Sequence, residues 1–308
     1  MKESMGRPDM SVILVGRDSR DYVRLCLDSL GKADWLGYSY EVVYVDNGSK
    51  DGSLAMIGEG FPEVRCLGNG ENLGFCRAAN QGAKLAKGRY LCFLNDDTVV
   101  LDDAVARLAR HLDEGPRVGA VGSRLVYPDM SEQWSGRRFP SPWNGIFGRR
   151  SLLTKLFPDA PFVVSYLYKD RLDGNEPFEV DWISAAAMMV RTEVYWTAGG
   201  CAEDYYYWHE AVLCDRIRKA GFSVHLHPGS KLIHFEGKGS GARPYHVQRW
   251  HIRDFHDGAF RCYCEHYELP RWSPRRLFAA LALGARERLL LLGVWLSEKR
   301  GNSSEAVT

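Results

Sequence analysis

Tyr90-Leu91-Cys92-Phe93-Leu94-Asn95-Asp96-Asp97-Thr98-Val99-Val100 decides how the chain is organised. Mostly apolar residues end abruptly in two adjacent carboxylates, and a second apolar run follows. The pattern is that of a buried strand delivering paired acids to its C-terminal end, the edge of an open α/β sheet where ligands bind. Adjacent carboxylates repel one another and are costly to desolvate, so their natural company is water or a bound cation. Alone, the stretch fits a solvated turn capping the next helix as well as it fits a metal site.

Upstream, residues 11–15 are a short apolar run that predicts a first strand. Ser19 is placed to cap the helix that follows, whose inward face is Val23, Cys26, Leu27 and Leu30 at helical spacing. Residues 41–45 predict a second strand, ending in the turn formers Asp46-Asn47-Gly48-Ser49-Lys50-Asp51-Gly52-Ser53. Residues 64–67 predict a third. Asn72 then opens a helix whose face of Phe75, Ala78, Ala79, Gly82, Ala83 and Ala86 suits close packing on a sheet. Downstream, Asp102 starts a helix with Val105, Leu108 and Leu112 inward, and residues 118–121 read as a fifth strand. Strands and helices alternating through short connections predict a parallel, doubly wound sheet, with a nucleotide-binding half over 11–125.

The alternation breaks over 128–177, a stretch rich in Pro, Gly, Trp and Arg that is long for a loop. Arg137, Arg138, Arg149 and Arg150 are interleaved there with Trp134, Phe139, Trp143 and Phe147. Such a surface suits a phosphorylated or lipid-diphosphate acceptor as well as it suits plain hydration. The expected organisation is an N-terminal arm (1–10), the nucleotide half, an acceptor half over 126–240 carrying the insert, a helical extension over 241–300 and a disordered tail at 301–308. The loop over 235–241 reads as flexible. In the extension, Leu-rich runs are broken by Arg286, Glu287 and Arg288, which excludes an uninterrupted membrane span. Its excess of Arg fits either the surface of an anionic leaflet or a helix pair packed on the core.

Composition sets the outer bounds. With 45% hydrophobic and 26% charged residues in 308, the chain is globular, and a net charge of +1 gives no case for nucleic acid as partner. The eight cysteines are scattered, and Cys262-Tyr263-Cys264 has the wrong spacing for a zinc or thioredoxin-like pair. Reduced thiols in a cytoplasmic protein are expected. The first ten residues lack the apolar core of a signal peptide.

Three features fall at one sheet edge: the Asp46 turn, the Asn72–Gly74 turn and Asn95-Asp96-Asp97. Glycines in the first two let backbone N–H groups approach a ligand, and a cation on Asp97 would bridge a diphosphate. Residues 12–15, Val45 to Ser53, Asn72-Leu73-Gly74-Phe75 with Asn80-Gln81-Gly82, and Leu94-Asn95-Asp96-Asp97 resemble family 2 glycosyltransferases of GT-A fold, in the rhamnosyltransferase-like branch. The resemblance spans about residues 11–240. It implies a Rossmann-like, mostly parallel sheet flanked by helices, with a helical C-terminal extension. It implies inverting, metal-dependent transfer from a nucleotide-diphosphate sugar, dTDP-rhamnose or a UDP-sugar, to a glycan or lipid-linked hydroxyl in cell-envelope polysaccharide assembly. The cofactor implied is Mn²⁺ or Mg²⁺. Contact with the inner membrane surface and a homodimer are the other expected associations.

Residue by residue, the resemblance gives Asp46, with Asn47 and Gly48, the base or ribose. Gly74 and Arg77 would lie near the diphosphate, with Asn72 as a further cofactor-binding residue and Asp96 as an auxiliary to the cation. Asp97 would be the metal ligand of a DxD motif whose first Asp is Asn95 here, and His234 would reach the metal or the diphosphate. Trp182 and Met188, with Tyr207 and Trp208, would line the acceptor side. For the base, the segment Trp208-His209-Glu210-Ala211-Val212-Leu213-Cys214-Asp215-Arg216 departs from the family pattern: it is one residue shorter and lacks the second acid. Glu210 is the carboxylate in register, Asp204 the fallback, and helix capping the plainer role for Glu210. Tyr207 and Trp208 are expected to desolvate Glu210. His209 is read as packed rather than ligating. Gly16-Arg17-Asp18-Ser19-Arg20 is a poor match to the Gly-rich loop of a nucleotide-sugar pyrophosphorylase. Gly68, Gly70 and Gly74 have the wrong spacing for a dinucleotide oxidoreductase. A catalytically inactive nucleotide-sugar-binding protein is the remaining alternative.

Overall fold

The computed structural model describes residues 6–139, 156–236 and 244–305. The first strands and helices are β1 (Met10–Gly16), α1 (Arg20–Lys32), β2 (Tyr40–Asp46), α2 (Ser53–Gly60), β3 (Arg65–Gly68), α3 (Phe75–Leu85), β4 (Tyr90–Asn95), β5 (Thr98–Val100), α4 (Ala104–Glu114) and β6 (Val118–Val126). They are followed by β7 (Gly136–Arg137), α5 (Pro161–Leu167), β8 (Phe178–Glu179), β9 (Trp182–Ile183), β10 (Ala187–Arg191), α6 (Thr192–Thr197), α7 (His209–Lys219), β11 (Ser223–His234), α8 (Tyr245–His266) and α9 (Pro274–Glu305). The chain divides into two compact units. One comprises residues 1–138, 159–204 and 209–236, and the other residues 139–158, 205–208 and 237–308.

In the first unit the described residues form a nine-stranded sheet in the order β3-β2-β1-β4-β10-β6-β11-β5, with β8 also paired to β11. Strands β1, β2, β3 and β4 are mutually parallel, as are β6 and β11. The sheet is mostly parallel, as expected, with three antiparallel strands. β10 runs antiparallel between β4 and β6, and β5 and β8 are antiparallel to β11. Val12, Ile13 and Leu14 of β1 are buried on both faces, as a continuous apolar run requires when helices cover both sides. α3 packs through its small residues: a Cβ on Gly82 would lie 2.6 Å from Ile13 Cγ2 and 3.2 Å from Val45 Cγ2.

Other local expectations shift. Ser19 precedes α1 but makes no side-chain cap bond, because its hydroxyl donates to Asp96 instead. Asp102 does not open α4: it sits at φ +48 in a turn, and the cap is Asp103. Asn72 bonds the Gly74 N–H (3.0 Å) one turn before α3 begins at Phe75. β5 is an addition to the expected strands. It pairs Thr98 with His234 and Val99 with Ile233, which brings the end of β11 to the paired acids.

In the second unit, α8 and α9 pack through Tyr263, Cys264 and Ala279, with Phe260 and Leu269 against them. α9 continues to Glu305, so the tail expected from residue 301 is helical for its first residues. The expected flexible loop at 235–241 and the basic pair Arg149–Arg150 fall wholly or mostly outside the described residues. Among the described residues no helix is long and apolar enough to cross a membrane.

Candidate active site

At the end of β2 the chain turns through Gly48 at φ +81, where a Cβ would also meet the Glu71 backbone at 2.9 Å. Glycine is the residue that tolerates both conditions. The turn points its N–H groups inward: Gly48 N (3.0 Å) and Ser49 N (2.9 Å) donate to Asp46 Oδ2, and the Ser49 hydroxyl donates to Oδ1. Asp46 is thus buried and held by three donors. Asn47 donates to the Gly74 carbonyl (3.3 Å) and accepts from Asn69 (3.0 Å), which also reaches Gln81 (2.9 Å). The Asp46 and Asn72–Gly74 turns are therefore one structure. Tyr44 lies buried between Asp46 and Asp96. Burial, then the Asp96 and Asp46 charges, push its phenol far above the ordinary value, so it remains a neutral donor.

At the end of β4 the two acids part company. Asp96 turns back to the Ser19 hydroxyl. Asp97 faces His234: Oδ1 to Nε2 is 3.2 Å, with both side chains about nine-tenths buried. The far side of the ring, Nδ1, is 2.8 Å from Gln133 Oε1, and Gln133 Nε2 donates to the His234 carbonyl at 2.6 Å. With its amide oriented by that second bond, Gln133 accepts from Nδ1–H and turns Nε2 toward Asp97. Asn95 Nδ2 lies 3.2 Å from the same Nε2. A carboxylate with an imidazole fixed through its other nitrogen is a donor set that fits a divalent metal. Gln133 was not foreseen; 101 residues separate it from His234, and no local signal marks it.

Glu210 lies in the first turn of α7 with Oε2 3.5 Å from His209 Nε2. Phe75, Phe93, Ala185, Met188, Tyr195, Cys201 and Leu213 line a small cavity with His209 and Glu210. The expectation that Tyr207 and Trp208 wall Glu210 is replaced by this apolar set. Those two side chains belong with α8, where the Tyr207 hydroxyl meets His251 Nδ1 (2.9 Å) and the Trp208 indole donates to the Phe255 carbonyl (3.0 Å). Trp182 is buried, donating to the Arg138 carbonyl (2.8 Å) beneath the Arg137 guanidinium. Arg77 is exposed and paired with Glu203 (3.3 Å), and Asp204 is exposed. Met188 pairs with Phe93 across β10 and β4, so the strands that wall the Glu210 cavity also carry Asn95 to Asp97. Beside the cavity, Cys76, Cys201 and His209 place a sulfur, a sulfur and a ring nitrogen within 4.8 Å of one another.

Residues 11–195 match the family model described as "Glycosyl transferase family 2". The chain belongs to that family. It is 29% identical over 239 residues to N-acetylglucosaminyl-diphospho-decaprenol L-rhamnosyltransferase of Mycobacterium tuberculosis, covering 71% of this chain and 76% of that one. It is 23% identical over 259 residues to the rhamnosyltransferase WbbL of Escherichia coli K12, covering 79% and 89%. This family 2 glycosyltransferase is thus rhamnosyltransferase-like. Its fold is of GT-A type. It superposes on the Pyrobaculum calidifontis mannosyltransferase PcManGT, solved with GDP-Man and Mn²⁺, with a TM-score of 0.57 at 17% identity over 97% of this chain and 76% of that one. GalNAc-T7, solved with UDP, GalNAc and Mn²⁺, gives 0.60 at 17% identity over 91% and 55%.

Proposed function

We propose that this glycosyltransferase is inverting and metal-dependent, moving a sugar from a nucleotide-diphosphate donor to a hydroxyl of a lipid-linked glycan acceptor. The observation that carries the reading is the buried pair of Asp97 and His234, with the ring held through Nδ1 by Gln133. Mn²⁺ or Mg²⁺ held there would neutralise charge on the leaving diphosphate. The Asp46 turn, with Asn47, Gly48 and Gly74, forms the floor for the nucleoside. Glu210 takes the acceptor hydroxyl proton while that oxygen attacks the anomeric carbon and the carbon–diphosphate bond breaks on the opposite face. Its apolar cavity excludes water that would otherwise compete as acceptor. The rhamnosyltransferase relatives support dTDP-rhamnose, with UDP-sugars as the second donor class to test.

A lipid-linked acceptor requires work at a bilayer, and α9 supports this. It directs Leu277, Leu281, Leu289, Leu292 and Leu296 into solvent, beside Arg271, Arg275 and Arg288. An anionic membrane surface is the partner that matches both the apolar stripe and the positive flank.

The test is transfer from a panel of nucleotide sugars with Mn²⁺, reading the product's anomeric configuration by NMR. Glu210→Gln is expected to lower kcat by about 10²–10⁴-fold while donor binding persists. Donor binding without turnover, unchanged by that substitution, would make the protein a nucleotide-sugar binder instead. A retained anomeric configuration would remove inversion.

A further inference from the structure

Cys76 and Cys201 meet inside the first unit, in chemistry that sugar transfer does not use. Cys76 is the second residue of α3, and Cys201 follows the Gly199-Gly200 turn after α6. Cys201 Sγ lies 2.6 Å from Cys76 Sγ, and both residues are almost wholly buried. Cys201 is gripped on both sides by one side chain: its N–H donates to Asn80 Oδ1 (3.0 Å) and its carbonyl accepts from Asn80 Nδ2 (3.0 Å). Because Asn80 lies on α3 one turn beyond Cys76, the two sulfurs are held in register by the fold.

We propose that Cys76 and Cys201 form a thiol-modification site, in which a small hydroperoxide oxidises the pair to a disulfide tying α3 to the segment that leads into α7. Distance decides between the two chemistries open to these ligands. From 2.6 Å, a sulfur–sulfur bond of about 2.05 Å needs a closure of roughly half an ångström. A tetrahedral zinc on the same sulfurs would need them to open to roughly 3.7 Å, against the grip of Asn80.

The surroundings also assign roles. Cys76 sits at a helix N-terminus beside His209, both of which favour a thiolate. The Cys201 hydrogen bond and the His209 charge hold the Cys76 thiol below its ordinary range, and burial pushes Cys201 well above it. Cys76 is therefore the attacking thiolate and Cys201 the resolving thiol. Cys201 and His209 line the small cavity, whose size of about 10 Å³ excludes a bulky disulfide such as oxidised glutathione. The Cys76 thiolate attacks one peroxide oxygen, the O–O bond breaks, and sulfenic acid and hydroxide form. The Cys201 thiol then attacks the sulfenic sulfur, forming the disulfide and releasing water, while the proton first lost by Cys76 converts the hydroxide to water.

The test uses the full chain, reduced and then treated with hydrogen peroxide near stoichiometric amounts. Free thiols would be counted after denaturation, and peptides mapped by mass spectrometry without reduction. The expected result is loss of two of the eight thiols, a Cys76–Cys201 linked peptide, and recovery of both thiols with dithiothreitol. The exposed Cys66 serves as internal reference. In Cys201→Ser, dimedone should trap a sulfenic acid on Cys76. The wild-type peptide map stands alone if that variant fails to fold. Oxidation of Cys66 with the pair left reduced would overturn the proposal, as would a tightly bound zinc that shields both thiols. Neither readout depends on sugar transfer, so the proposed function and this inference fail separately.

Discussion

Gln133 holds the His234 ring through Nδ1 as a carboxylate holds a metal-bound imidazole through its far nitrogen, fixing the ring plane. Gln133→Leu keeps the volume but removes the acceptor for Nδ1–H and the donor to the His234 carbonyl. It should raise the Mn²⁺ concentration for half-maximal transfer by about 10–100-fold, read in parallel by calorimetric Mn²⁺ binding. Asp97→Asn, which removes the charge itself, should cost more. Unchanged Mn²⁺ binding in both variants would remove the cation from this pair. Asp97 was legible because a carboxylate pair ending an apolar strand is a local pattern. Gln133 was not, because its partner arrives from the far end of β11. Ser19 was misread for a related reason: its position suits a helix cap, but the Asp96 carboxylate competes for the same hydroxyl and wins.

Packing of elements gives two further tests. α3 approaches β1 and β2 so closely that Gly82→Ala should destabilise the protein by about 1–3 kcal/mol through overpacking, more than the roughly 1 kcal/mol that alanine contributes to a helix interior. A lower urea midpoint with unchanged slope is expected; a higher one would mean that α3 shifts freely. The second test lies where α4 meets β11. His225 and His227 are pushed down to about 4, first by burial and then by the neighbouring His111, whose own ring nitrogen is 3.0 Å from His225. Arg107, Arg110 and Arg218 add positive charge around them, and Glu179 and Asp103 oppose it only in part. Between pH 6.5 and about 4 the unfolded chain binds protons that the folded one refuses, so stability falls as pH falls through that window. Urea midpoints should drop from pH 6.5 to 5, and drop less in His225→Gln or His227→Gln. Equal slopes would place the acid sensitivity in carboxylates. The helix α3 was readable from its small-residue period, whereas β5 was not: three residues antiparallel to a distant strand carry no period of their own.

At the scale of the whole molecule, the sequence left the C-terminal extension open between a packed helix pair and a membrane-facing one, because Leu at helical spacing serves both. In the structure the helices are paired, and α9 keeps an exposed apolar side as well. One side of α9 packs on α8 through Ala279, and the opposite side leaves Leu277, Leu281 and Leu289 63%, 66% and 70% exposed, with Trp272 at 86%. Soluble monomers rarely leave so long an apolar stripe in water. Vesicles containing phosphatidylglycerol should therefore carry the protein upward in flotation, whereas purely zwitterionic vesicles should carry less. Two contributions can be separated. Raising salt screens Arg271, Arg275 and Arg288 and should weaken binding without abolishing it. Leu281→Asp with Leu289→Asp places charge in the apolar stripe and should abolish binding at any salt, while transfer to a soluble, lipid-free acceptor analogue survives. Flotation unaffected by the double substitution would mean that another surface meets the membrane. A concentration-dependent dimer that the same substitutions disrupt, with no vesicle binding, would assign the stripe to a second copy of the chain.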